Sequence, residues 1–359
     1  MRRIEHEIAD LVDDALGQGL GSAAAVSVGE GGREVLRLVR GRTRRIPDPG
    51  SAIDERAWFD VASLTKPIVS AACAMVLVGE GRLDLDDPIR SWLPAAASTG
   101  TVRQLLGHAA GCSAHVEFFR TLRDGVADPR RELVERATRE PAQPPGITAL
   151  YSDLGYLVLG AILERAADAP LEDVFATLVA EPLGLAAFYP GSGTALAGAV
   201  ATEIDDRGIV CGRVHDENAY YGGGVCGHAG LFATIDDVAR FAAAIVDTAA
   251  GTPRGRLRPE VVIAFATTAA APGTSWRLGW DTPAPSAGVS QAGDAWPRTG
   301  SIGHLGFTGT SLWLDLPRRR WVALLTNRVH PTRHGDSAAA IKALRRAVND
   351  RVVALLAGA

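Results

Sequence analysis

The run Ser63-Leu64-Thr65-Lys66 places a hydroxyl and an amine three positions apart. Residues at that spacing share one face of a helix, so the two groups can meet. A serine hydroxyl is a weak nucleophile until a neighbouring base removes its proton, and a buried lysine that has lost its own proton can act as that base. Pro67 fixes where such a helix begins, because proline is tolerated only in or near the first turn. The start therefore falls close to Ser63, leaving its N–H free at the positive end of the helix dipole, where a developing oxyanion is stabilised. Only Lys66 and Lys342 are lysines among 37 basic residues, so a lysine kept at position 66 invites a chemical reading. The motif alone is weak: with 16 serines and two lysines, about one chain in ten of this composition shows it by chance. A helix start with an exposed lysine would give the same letters.

Other candidates fare worse. His215-Asp216-Glu217 groups three possible ligands but lacks a partner at helical or finger spacing, so no metal and no cofactor are expected. Gly222, Gly224 and Gly227 spell a dinucleotide-binding pattern, yet HDENAYY before them is a polar loop and not a strand. His108 and His115 read most simply as satisfied polar histidines. Cys73, Cys112, Cys211 and Cys226 are scattered and expected as free thiols.

Those side chains need a frame to hold them. The chain has 359 residues, 47% of them hydrophobic, enough for a large core, and a formal charge of −4 with no basic stripe for nucleic acid. No uninterrupted apolar run reaches the roughly 18 residues of a membrane span. Residues 1–21 carry Ile4, Ile8, Leu11, Val12 and Leu16 at helical spacing among acids, which predicts an amphipathic surface helix, not a secretory signal, and a cytoplasmic protein. Segments 22–30 and 33–41 predict a hairpin turning at Gly31 and Gly32. A buried helix follows from near Ser63 to Gly79 or Gly81, then helical stretches near 101–108, 130–139, 153–167 and 171–180. Near the C-terminus SIGHLGFTG, TSLWLDLP and RRWVALLTN predict an antiparallel meander, closed by an amphipathic helix from Asp336 and Ser337.

Two later segments give the first motif its setting: Tyr151-Ser152-Asp153, and His304-Leu305-Gly306 on a predicted strand. With Ser63 and Lys66 they resemble, in order and context, the three motifs of class C β-lactamases, related esterases and penicillin-binding peptidases. TVRQLLGHAAG, YSDLGYLVLG, GHAGLFAT and GHLGFTGTSLWLDL are similar to the same superfamily, so the resemblance covers roughly residues 20–355. It implies an α+β fold: an antiparallel sheet flanked by helices, built from 1–82 and 201–359, with a mostly helical domain, 83–200, inserted and the active site in the cleft between them. It implies acyl transfer through an acyl-enzyme on Ser63, with Lys66 and Tyr151 sharing the general-base role once neighbouring cations depress their pKa values. Backbone N–H groups of Ser63 and Phe307 would hold the oxyanion. His304 would polarise Tyr151 or meet a substrate anion, and Asp153, Gly306, Arg328, His330 and Arg333 would contact substrate.

Two departures shape the expected substrate. Asp153 stands where asparagine is usual, and its charge favours the ammonium form of Lys66, moving base work onto Tyr151 or the deacylating water. His304 stands where lysine is frequent, and its charge would vary near neutral pH. Both point from β-lactams toward a small ester, amide or peptide, with esterase action and amidase or peptidase action on D-amino-acid or cell-wall fragments as the two readings and β-lactamase action third. The rival from another class is a penicillin-binding-like sensor, acylated or occupied without turnover.

Overall fold

The computed structural model describes residues 2–122, 125–191 and 195–357. Helix α1 (Arg2–Gly17) leads into β1 (Ala23–Glu30) and β2 (Arg33–Gly41), the expected hairpin, with Ala23 opposite Gly41 and Glu30 opposite Arg33. Helix α2 spans Ala62–Gly79, starting beside Ser63 and stopping at Gly79 as the sequence indicates. It opens as a 3₁₀ turn over Ala62–Leu64, widens into π turns over Lys66–Ala71 and continues as α-helix from Ala72. Such widening is common at functional sites. Averaged over 18 residues α2 is apolar enough to cross a membrane, although no uninterrupted run is; 83% of it is buried, and its hydropathy is that of a core helix.

Residues 83–200 hold the short helix Val102–Leu106, started by a Thr101–Gln104 capping box, then Pro129–Arg139, α3 (Asp153–Ala167) and a helical stretch from Leu171 that ends at Leu183. The first is shorter than expected because the chain leaves helical geometry at Gly107 and takes a positive φ of 58° at His108. Helix α4 (Ile235–Ala249), unremarked in the sequence reading, was legible: Thr234 and Asp237 cap its start reciprocally. The C-terminal meander is β3 (Ser301–Leu305), β4 (Ser311–Asp315) and β5 (Arg320–Thr326), followed by α5 (Ser337–Ala357).

The five strands form one antiparallel sheet in the order β2-β1-β5-β4-β3. The two chain ends meet at the β1–β5 seam, where Ala24 lies opposite Thr326. Strand alternation gives each face its own core. Val26, Val28, Val322 and Leu324 pack against Ile8 and Val12 of α1 and Leu344 and Val348 of α5. Ala23, Ala25, Ala323 and Leu325 join the main core, which takes in α4, α2 and α3. Small side chains on β1 let the helices approach closely, and each buried leucine, isoleucine or valine contributes about 1.5–3 kcal/mol. The α+β expectation and the flanked antiparallel sheet are both met. All four cysteines are free.

Candidate active site

Ser63 is presented by a strained turn. The preceding Ala62 has φ +49°, a region that costs a non-glycine residue roughly 1–3 kcal/mol. Buried Asp60 holds it there: one carboxylate oxygen accepts the Ala62 N–H at 2.8 Å and the other accepts the His215 N–H at 2.7 Å. Lys66, one turn on and fully buried, has Nζ within hydrogen-bond distance of Ser63 Oγ at 3.1 Å, the Tyr151 hydroxyl at 2.7 Å, Asp153 Oδ1 at 2.7 Å and the His228 carbonyl at 3.3 Å. Gly227, next to His228, is packed tightly, since a Cβ there would lie 3.0 Å from Ser70 Oγ and clash with the Tyr156 carbonyl.

The second motif owes its shape to a helix start. Ser152 is the N-cap of α3, its Oγ accepting the Gly155 N–H at 2.9 Å. Tyr151 and Asp153 therefore flank the cap and both reach Lys66, while Asp153 sits in the first turn, where the helix dipole favours an anion. Beneath them lies an aromatic floor. The His108 ring is 4.7 Å from Tyr151 and 4.5 Å from Trp276, and Trp276 is 5.2 Å from Tyr151.

The charges differ from expectation. Burial by itself would lower the Lys66 pKa, but Asp153 and Tyr151 more than offset it, and Lys66 is held above its usual value. Burial would raise Asp153; the Lys66 charge and a bond from His115 instead hold it far below the usual carboxylate range. Burial raises Tyr151 despite the Lys66 charge. The expectation of pKa values depressed by neighbouring cations is therefore corrected, whereas the ammonium form of Lys66 expected from the Asp153 charge holds: the resting site is an ammonium–carboxylate pair. His304 is corrected likewise. Buried, with Nδ1–H donating to the Leu305 carbonyl at 2.9 Å, it is pushed down to about 3 by burial and the Lys66 charge, so it is neutral near pH 7 and is no cation for a substrate anion. In an NMR titration its ring signals should stay constant between about pH 5 and 8. His115, raised from 6.5 chiefly by its bond to Asp153, should titrate above that value. A His304 midpoint near 6.5 would contradict this electrostatic picture.

Ser63, Tyr151, Asp153, His304, Gly306, Phe307, Arg328 and Arg333 line one cleft of about 660 Å³, with Lys66 beneath Ser63. Neither the Ser63 nor the Phe307 N–H meets an acceptor among the described residues. Gly306 brings the end of β3 close to the nucleophile, since a Cβ there would overlap Thr310 Oγ1 and lie 2.6 Å from the Val61 carbonyl. Arg328 stacks over Phe307 at 4.6 Å and donates to its carbonyl at 2.9 Å. Arg333 lines the cleft but is neutralised by Glu203 at 2.5 Å and Glu217 at 2.6 Å. His330 lies outside the cleft, buried behind Arg328 with Nε2 accepting the Arg45 N–H at 3.0 Å, and so does not face substrate. The members of the His215–Glu217 run disperse, His215 to Glu203, Asp216 to His228 and Glu217 to Arg333. The sequence reading missed Asp60, Trp276, Lys342 and Arg345, and it set His115 aside. Lysine scarcity could have found Lys342; the others carry no local signal.

A serine, a buried lysine and a tyrosine converging where a helix start meets the edge of this sheet define a serine hydrolase of the penicillin-recognising fold. The chain belongs to the β-lactamase family, whose model matches residues 8–346. It is 29% identical over 306 residues, 76% of this chain and 69% of the other, to an Escherichia coli K12 protein that carries the provisional name D-alanyl-D-alanine carboxypeptidase. In fold it is similar to a class C β-lactamase from Rhodobacter sphaeroides (TM-score 0.72, 17% identity, 98% of this chain and 100% of that one). It is similar also to EstCE1, described as a hydrolase with promiscuous acyltransferase activity (TM-score 0.69, 21% identity, 96% and 98%).

Proposed function

We propose that the chain cleaves an ester or amide bond through an acyl-enzyme on Ser63, and that its preferred substrates carry a carboxylate on the leaving group. The observation that carries the first part is the convergence of Ser63 Oγ, the Tyr151 hydroxyl and Asp153 on Lys66 Nζ. Lys66 is charged at rest, and the base is its neutral amine, a minor fraction near pH 7 that grows with pH. As Ser63 Oγ bonds to the substrate carbonyl carbon, its proton passes to Lys66 Nζ, which Asp153 Oδ1 and the Tyr151 hydroxyl, each 2.7 Å away, hold in place. Collapse of the tetrahedral anion breaks the bond to the leaving atom, which takes the proton back through Lys66 or the Tyr151 hydroxyl. Water then attacks the acyl-enzyme by the same exchange, releasing the acid and restoring Ser63. The general-base role that the resemblance divides between Lys66 and Tyr151 then falls on Lys66, with Asp153 holding the amine in place and stabilising the charge it gains.

The carboxylate preference is supported by Arg328 and Lys342, cations of the cleft that, like the more deeply buried Arg345, have no acidic partner among the described residues. The Escherichia coli relative's name points the same way. The division into 1–82 with 201–359 and an inserted 83–200 stays our reading, supported by Tyr151 and Asp153 coming from one part and Ser63 and His304 from the other. The test compares a D-alanyl-D-alanine peptide, its C-terminal amide, p-nitrophenyl acetate and a chromogenic cephalosporin. The free acid should show a KM about tenfold below the amide, one charge-assisted contact being about 1.5–3 kcal/mol. Lys342→Met should raise KM for the acid alone. Equal KM values for acid and amide would remove the carboxylate from the proposal.

A further inference from the structure

The turn 306–310, which carries the Phe307 N–H, is held by an unusual cation. Arg345 of α5 is 5% exposed, yet it has no carboxylate partner among the described residues. Its Nη2 donates to the Gly306 carbonyl at 2.9 Å and the Thr310 carbonyl at 2.8 Å, its Nη1 donates to Gln291 Oε1 at 2.8 Å, and its Nε is buried without a partner. A trans peptide unit directs its C=O and N–H oppositely. Anchoring the Gly306 carbonyl to Arg345 therefore fixes the direction of the Phe307 N–H. That N–H has no acceptor of its own, and the turn is stitched to the nucleophile's lead-in by Thr308 Oγ1 donating to the Asp60 carbonyl at 2.8 Å and Thr310 Oγ1 to the Val61 carbonyl at 2.9 Å.

Burying a guanidinium without a counter-ion is expensive, and a neutral donor such as glutamine could satisfy a backbone carbonyl at lower cost. Arg328, tied to the Phe307 carbonyl, adds a second cation whose charge, after burial, pushes the Arg345 pKa down to about 9. Such an arrangement weakens the fold unless a negative charge appears nearby, which a tetrahedral oxyanion on the Phe307 N–H would supply.

We propose that Arg345 is a positioning residue: through the Gly306 carbonyl it aims the Phe307 N–H at the oxyanion, and its unneutralised charge favours that anion. The inference rests on the acyl-enzyme reading above. The test measures kcat and KM for p-nitrophenyl acetate, and the affinity of phenylboronic acid, whose serine adduct is a tetrahedral anion, for wild type, Arg345→Met, Arg345→Gln and Arg345→Lys. Loss of one oxyanion donor typically costs about 10²–10³ in kcat. Arg345→Met should fall in that range with KM within about threefold, and its boronate affinity should fall with kcat. Arg345→Lys, which keeps the charge and one contact, should recover part of both, and Arg345→Gln less. Should the methionine variant fail to fold, the lysine and glutamine variants decide alone. A kcat within twofold of wild type in the variants, or a lost kcat with boronate affinity unchanged, would overturn the inference. Ser63→Ala tests the underlying reading separately, since its full activity would remove the acyl-enzyme itself.

Discussion

Lys66→Met should lower stability by about 3–5 kcal/mol, because it leaves the mostly buried Asp153 without its counter-ion. Asp153→Asn in the same chain should restore most of that loss, since a neutral amide needs no counter-ion. Activity should not return: kcat/KM should stay down by about a thousandfold or more in both, as expected when a member of the proton-transfer unit is missing. Denaturant midpoints and kcat/KM of the two single variants and the double variant check this. Asp153→Asn alone removes an anion 2.7 Å from Nζ, so the Lys66 pKa falls, more of the amine is available near neutrality, and the rise of kcat/KM with pH moves toward acid. A Lys66→Met chain as stable as wild type, or an active double variant, would contradict these roles of Lys66 and Asp153.

The same pair sets a window of pH stability. The depressed Asp153 contributes in full above the ordinary carboxylate value of 3.8 and loses that contribution as pH falls below it toward the folded value. The raised Lys66 contributes in full below 10.5 and loses its share as pH rises beyond that. His108 and His304, buried neutral, add a penalty that grows as pH falls below 6.5. Stability should therefore fade on the acid side first.

Local patterns made much of this legible. The helix start at Ser63 follows from Pro67, the register of Ser63 and Lys66 from helical spacing, and the sheet from alternation in the hairpin and the meander. Tyr151 and His304 became visible through motif order. What stayed hidden depends on contacts far apart in sequence. His115 gains meaning only beside Asp153, 3.5 Å away, and Arg345 only because α5 folds back against the 306–310 turn. The charge of His304 was misjudged because sequence cannot show that it is buried beside Trp276 and within reach of the Lys66 charge. Arg333 and His330 share a segment with Arg328, but spacing could not show that Glu203 and Glu217 occupy one and that the other turns away.

Ser63→Ala should reduce kcat/KM for every substrate by about a thousandfold or more, because the hydroxyl that forms the covalent intermediate is gone. Stability should change little, Ser63 being partly exposed and Lys66 retaining Tyr151 and Asp153 without it. The most direct measurement is intact-protein mass spectrometry of rapidly quenched wild-type and Ser63→Ala protein with p-nitrophenyl acetate. Wild type should gain one acyl mass that maps to Ser63 and decays as product accumulates, and the alanine variant should gain none. An adduct on another residue, or wild-type turnover retained by Ser63→Ala, would contradict the account.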